Sequence, residues 1–179
     1  MERTNEVTGE GWVSKELPFG CTLCEKGMKM VYFMGGDCIR PERCSWYCPI
    51  SEERKSANAH FADEIPIENP DNLDDVVSTL KYESEKIGAM GMSITGGDPL
   101  STPRKVNWTA SVISSMKIEM GDQYHINLYT CGKIFDKITA NKLERAGLDS
   151  IRFHPDPDDF FRIHYALERD FTVGAEVPV

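Results

Sequence analysis

Residues 89–100 read "AMGMSITGGDPL". Residues 90–95 predict a buried strand, and Gly96-Gly97-Asp98-Pro99 predicts the sharp turn that ends it. Helical patterns lie on both sides. Before it, "DNLDDVVSTLKYESEKIG" (71–88) places Leu73, Val76, Val77, Leu80 and Ile87 at helical spacing, with acidic residues in the first turn and Gly88 as a stop. After it, "TPRKVNWTASVISSMKIEM" (102–120) predicts a second helix with Pro103 at an early position. A buried strand between two helices is the repeating unit of a parallel α/β sheet.

The same alternation extends outward. "MVYFMGG" (30–36) carries a strand over 29–34, and residues 52–70 are polar and read as loop or short helix. "YHINLYTCG", "LDSIRFHPD" and "FTVGAEVPV" predict three further strands, separated by the helical stretches "IFDKITANKLERAG" and "PDDFFRIHYALERD". Such alternation predicts five parallel strands joined by right-handed helical crossovers, an α/β fold. Residues 1–20 read as a loose leader. The division is an N-terminal leader with a CxxC over 1–27 and the core over 28–179. The last apolar strand runs to Val179 without a helix to cover it. That implies the front part of a longer (β/α) protein, or a five-strand domain whose open edge pairs with a partner.

Composition narrows the function. The 179 residues carry a net charge of −9, which argues against a nucleic-acid partner held through its phosphates. No apolar run reaches the roughly 18–20 residues of a membrane span, and the polar start lacks a signal-peptide core. A cytoplasmic location follows, where the six cysteines are better read as metal ligands or reactive groups than as disulfides.

Three of them crowd "CIRPERCSWYCPIS" (38–51), at the C-terminal end of the first strand, where ligands gather in parallel α/β folds. Cys38, Cys44 and Cys48 suit three irons of a 4Fe–4S cluster, leaving one iron open. Arg40 and Arg43 supply charge that favours the thiolates. At the end of the neighbouring strand, the two glycines allow close backbone approach to a ligand, Pro99 stiffens the turn, and Asp98 offers an acceptor to an ammonium group.

This combination resembles the radical S-adenosylmethionine superfamily. "CTLCEKGMKMVYFMGG", "WYCPISEERK", "SITGGDPL", "HINLYTCG", "IRFHP" and "GAEVPV" are closest to an archaeal group related to pyruvate formate-lyase activating enzyme. The resemblance runs from about Phe19 to the C-terminus. It implies an α/β fold that is a parallel (β/α) partial barrel of the TIM type, in which a reduced 4Fe–4S cluster cleaves S-adenosylmethionine to a 5′-deoxyadenosyl radical that acts on a further substrate, as in a glycyl-radical activase. It also implies an electron donor of the flavodoxin or ferredoxin kind. Carried over by position, Cys38, Cys44 and Cys48 hold the cluster and Tyr47 lies near the adenine. Gly96, Gly97, Asp98 and Pro99 meet the methionine amino group, while Thr130 and Arg152 meet ribose or carboxylate. The cysteine spacing departs from the family's: five and three residues intervene instead of three and two. That leaves open whether Trp46 or Tyr47 faces the adenine.

Cys21 and Cys24 form a separate CxxC. They are candidate ligands for zinc or a second cluster, completed by Cys131 and one of His60, His125, His154 or His164, or else a pair of free thiols. Cys131, at the end of the third strand, reads first as a small packing residue. His154, at the end of the fourth, is a candidate ligand contact. The reading from a different class is a non-catalytic scaffold whose cysteines hold zinc or a purely structural cluster.

Overall fold

Local chemistry sets the helix limits. The Asn72 side chain accepts hydrogen bonds from the Asp74 and Asp75 amides and caps α3 (Leu73–Ile87), which Gly88 closes in the left-handed region. Thr102 caps α4 (Pro103–Met120) with proline at its start, and Asp136 caps α5 (Lys137–Ala146). The shorter helices are α1 (Phe19–Glu25), α2 (Glu52–Lys55) and α6 (Ile163–Leu167), the last preceded by a 3-10 segment over Pro157–Arg162. The computed structural model of the protein describes residues 5–7, 11–13, 17–39, 48, 50–55 and 57–176.

The strands are β1 (Asn5–Val7), β2 (Gly11–Val13), β3 (Lys29–Met34), β4 (His60–Ala62), β5 (Ile65–Ile67), β6 (Gly91–Thr95), β7 (His125–Thr130), β8 (Ser150–Phe153) and β9 (Thr172–Ala175). One mixed sheet has the order β5-β4-β3-β6-β7-β8-β9, and β3, β6, β7, β8 and β9 are all parallel. These are the five predicted strands in their predicted order, consistent with a partial parallel β/α barrel.

Two segments differ from expectation. Residues 52–70, read as loop or short helix, contain the β4–β5 hairpin, which adds antiparallel to the free edge of β3. Strands of three residues are too short for a period-2 pattern to show, and Pro66 is tolerated because it lies on the edge. The leader read over 1–20 includes the antiparallel pair β1–β2, and helix begins at Phe19, so the CxxC is helical.

The sheet has two unlike faces. Met92, Ile94, Ile126, Leu128, Ile151 and Phe153 share one core cluster with helix residues such as Leu80, Ile113 and Leu143. The alternate positions Ser93, Asn127, Ser150 and Arg152 are also buried but polar; register places Ser93, Asn127 and Ser150 side by side across β6, β7 and β8, with Arg152 two residues further along β8, opposite Tyr129. Of the predicted α3 face, Ile87 is exposed, while Glu83 and Ser84 are buried instead.

Candidate cofactor site

The turn after β6 is fastened to the root of the cysteine loop. The Gly97 amide donates to the Gly35 carbonyl and the Asp98 amide to the Asp37 carbonyl, each at 2.8 Å. The glycines are there for this approach. A Cβ on Gly96, whose φ is 137°, would stand 2.5 Å from the Gly35 oxygen, and one on Gly97 would overlap the Asp37 carbonyl. The close partner of the two glycines is therefore the strand-end backbone that leads into Cys38.

Asp98 is buried, and both its oxygens are in use. Oδ1 accepts from the Thr130 hydroxyl at 2.8 Å and the Leu100 amide at 2.9 Å. Oδ2 accepts from the Cys131 thiol at 2.7 Å and the Cys131 amide at 3.3 Å. The Thr130 oxygen in turn accepts from the Gly132 amide. Burial, and then the Asp98 carboxylate beside it, push the Cys131 thiol well up, so it stays a protonated donor. Asp98 thus ties the ends of β6 and β7 together, a role beyond the ammonium acceptor read from the sequence. Pro99 contributes its carbonyl to the Thr109 hydroxyl and anchors α4 beneath the turn.

These strand ends border a cavity of about 1130 Å³. Cys38, Cys48, Gly96, Gly97 and Thr130 all line it. Cys44, Tyr47, Trp46, Arg40 and Arg43 lie outside the described residues. Among the described residues, no three His, Cys, Asp or Glu side chains converge to hold a metal ion. Cys21 and Cys24 are on α1, which packs at the starts of the strands: Phe19 meets the His125 ring edge to face at 5.3 Å.

Three lining residues escaped the sequence reading. Tyr129 stacks on His154 with ring centroids 5.9 Å apart, and His154 Nε2 lies 3.2 Å from Glu176. That hydrogen bond leads the effects holding the Glu176 carboxyl below its usual range, against its partial burial. Strand-end position was the available signal for Glu176, as it was for His154. Trp108 was absorbed into the α4 pattern. It donates to the Tyr32 oxygen at 3.4 Å, and the Tyr32 hydroxyl pairs with His60 Nδ1 at 2.8 Å. Burial first, then Lys105, push His60 down to about 4, so its ring is neutral.

Arg152 projects from β8 and is 4% exposed. Nη1 donates to the Ile151 carbonyl at 3.2 Å, and Nε is 3.9 Å from Glu176. Nη2 is buried with no hydrogen-bond partner among the described residues. A side chain on Gly174 would collide with the guanidinium, so that glycine makes its space.

The residues present fit the cofactor pair expected from the sequence. Two of the loop's three cysteines share a cavity with the Gly96-Gly97 turn, and the buried Arg152 guanidinium, 3.9 Å from the lining residue Glu176, retains an unused donor. The partial parallel barrel and its strand-end pairing agree with the radical S-adenosylmethionine superfamily that the sequence resembles, and the comparison with known proteins supports that family. The chain is 36% identical over 140 residues to a Methanocaldococcus jannaschii protein named "putative glycyl-radical enzyme activating enzyme". The match covers 78% of this chain and 34% of the relative, so the chain spans about a third of that protein's length. No protein-family model matches the chain. No helix among the described residues is long and apolar enough to cross a membrane.

Proposed function

We propose that this chain is the cofactor-binding part of an enzyme that cleaves S-adenosylmethionine with a 4Fe–4S cluster and activates a glycyl-radical protein. Cys38, Cys44 and Cys48 would hold the cluster. Gly96 and Gly97 would present backbone to the methionine end, and Tyr47 would lie against the adenine. In this reading, Asp98, Pro99 and Thr130 hold the turn in shape, and Arg152 receives the carboxylate or a ribose oxygen. When bound, the two groups together supply one-electron reductive cleavage to a 5′-deoxyadenosyl radical; the protein positions them and excludes water. A flavodoxin- or ferredoxin-like donor would supply the electron. The relative's name is what supports a glycyl-radical protein as the substrate.

One observation carries the reading. The pair of backbone hydrogen bonds from Gly97 and Asp98 fixes the residue before Cys38 against the cofactor turn, so cluster and cofactor would share one rigid frame. The test is anaerobic reconstitution with iron and sulfide, followed by electron paramagnetic resonance after reduction. A cluster signal that changes on adding S-adenosylmethionine is expected, together with 5′-deoxyadenosine release under dithionite. One tightly bound zinc per chain with no cluster signal would replace this reading with the structural-metal one.

A further inference from the structure

Lys105 is fastened to the same point as the turn after β6. It stands in the first turn of α4, where its amide donates to the Thr102 hydroxyl at 3.2 Å. Its ammonium reaches back and donates to the Asp37 carbonyl, also at 3.2 Å. That carbonyl already accepts the Asp98 amide. A carbonyl oxygen has two lone pairs, so the turn takes one and α4 the other. The residue that follows is Cys38.

The ammonium brings a charge as well as a donor. One peptide unit separates its acceptor from Cys38, so covalent reach alone keeps it within about 10 Å of the Cys38 sulfur. Both residues line the cavity. Lys105 forms an ion pair with Asp37 Oδ2 at 3.8 Å, but solvent screens the two unequally: the lysine side chain is 19% exposed and the aspartate 67%. Inside the cavity the positive charge therefore outweighs the negative one. Its reach shows at His60, where Lys105 is the strongest influence after burial in keeping the ring neutral. The other lysine and arginine of the cavity lining are turned to exposed carboxylates, Lys55 to Glu52 at 2.7 Å and Arg104 to Asp71 at 3.2 Å.

Resting on the function proposed above, we infer that Lys105 is a positioning residue for the cluster: it holds the root of Cys38 and favours the reduced state through its fixed charge. The electron that reduces the cluster comes from the donor protein, which is oxidised by one electron. It adds one negative charge to the thiolate-bound cluster, and no proton moves with it. A buried ammonium close by lowers the energy of that added charge and so raises the reduction potential. A weaker reductant then suffices. The role differs from that of Asp98, which shapes the turn and brings no cation to the loop.

A redox titration of the full chain tests this. The protein is reconstituted anaerobically with iron and sulfide, poised with dithionite and mediators, and its reduced cluster counted by electron paramagnetic resonance. In Lys105→Met, the ratio of reduced to oxidised cluster at a fixed potential should fall about fivefold, a downward shift of about 40 mV for a one-electron couple. Lys105→Arg keeps charge and donors and should restore the wild-type value. Lys105→Gln offers the Asp37 carbonyl a donor without a charge. It should load iron fully and show the same fall as Lys105→Met, which separates the charge from any loss of loading. Affinity for S-adenosylmethionine should be the same in all four proteins. A potential indifferent to residue 105 in cluster-loaded protein would overturn the inference and leave the proposed function standing. So would an equal shift in Lys105→Arg, or an unshifted potential with weakened S-adenosylmethionine binding, which would give Lys105 to the cofactor's carboxylate. A wild-type chain that takes up no cluster would instead remove the proposed function, and this role with it.

Discussion

The turn after β6 and the middle of β8 each bury a charged side chain, and they treat it in opposite ways. Every oxygen of Asp98 is engaged, by a hydroxyl, a thiol and two backbone amides. Arg152 is as deeply buried, yet it keeps one nitrogen without a partner among the described residues and holds Glu176 only at 3.9 Å. Buried polar groups are nearly always satisfied, and an exception calls for a reason. The saturated carboxylate is scaffold, and the unsaturated guanidinium is the one to which the proposed function gives a ligand.

The largest effect is expected at the scaffold. A methyl group in Gly97→Ala would fall on the Asp37 carbonyl, a backbone atom that cannot swing aside. The turn would open and lose both backbone hydrogen bonds to the loop root. A loss of about 3–5 kcal/mol is expected in urea unfolding, from overpacking plus two hydrogen bonds, and iron uptake should fall with it. Unchanged stability would mean that turn and loop are not fastened together.

Asp98→Asn comes next. The amide keeps the shape but replaces one acceptor oxygen with a donor. That donor must face either the Cys131 thiol and amide or the Thr130 hydroxyl and Leu100 amide. The expected cost is about 2–3 kcal/mol, the penalty for buried donors left unpaired, again read by urea unfolding. If Asp98 were instead held in reserve for a ligand, Asp98→Asn would fold normally and fail only in binding.

Why the sequence announced one of these regions more clearly than the other follows from the range of the interactions. Gly96-Gly97-Asp98-Pro99 is a local signal: the residues are adjacent, and their chemistry already demands a tight turn. The five parallel strands were legible for the same reason, since each lies within one short apolar stretch bounded by turns. The partners of Asp98 are not local. Thr130 and Cys131 lie 32 and 33 residues away, and only the parallel pairing of β6 with β7 brings them in. The β4–β5 hairpin stayed hidden because each of its strands has three residues, with a proline in one. The polar face of the sheet was masked too: Ser93, Asn127 and Ser150 are small enough to sit in apolar runs without breaking them.

His60 extends the comparison to a cavity wall on the other side of the loop. Like Asp98 it is satisfied internally, by the Tyr32 hydroxyl, and its ring is neutral because burial lowers its affinity for a proton to a pKa of about 4. The folded value lies below the unfolded one of about 6.5. Its contribution to stability is therefore fully present above pH 6.5 and is lost as pH falls toward 4, where the unfolded chain takes up the proton first. Over that window the protein should lose about 2–3 kcal/mol more than His60→Gln does, measured by urea unfolding at each pH. Parallel pH profiles for the two proteins would show that the ring carries its charge in the fold.

Arg152→Met sharpens the contrast most directly, although its effect on stability is the smallest. Methionine fills a similar volume without a charge, and buried charged groups replaced by well-packed apolar ones often leave stability unchanged or raise it. The change removes the hydrogen bond to the Ile151 carbonyl, but it also removes the burden of the unpartnered Nη2. Stability should stay within about 1 kcal/mol of the wild type. Affinity of the reconstituted protein for S-adenosylmethionine should drop about tenfold, the loss of one charge-assisted contact, measured by equilibrium dialysis. Asp98→Asn and Arg152→Met would then separate cleanly, the first losing the fold before the ligand and the second the ligand without the fold. If Arg152→Met unfolds by several kcal/mol and binds normally once folded, the guanidinium is scaffold as well. The carboxylate would then have to be met by backbone around Gly96 and Gly97, and the two regions would differ only in how completely their polar groups are paired.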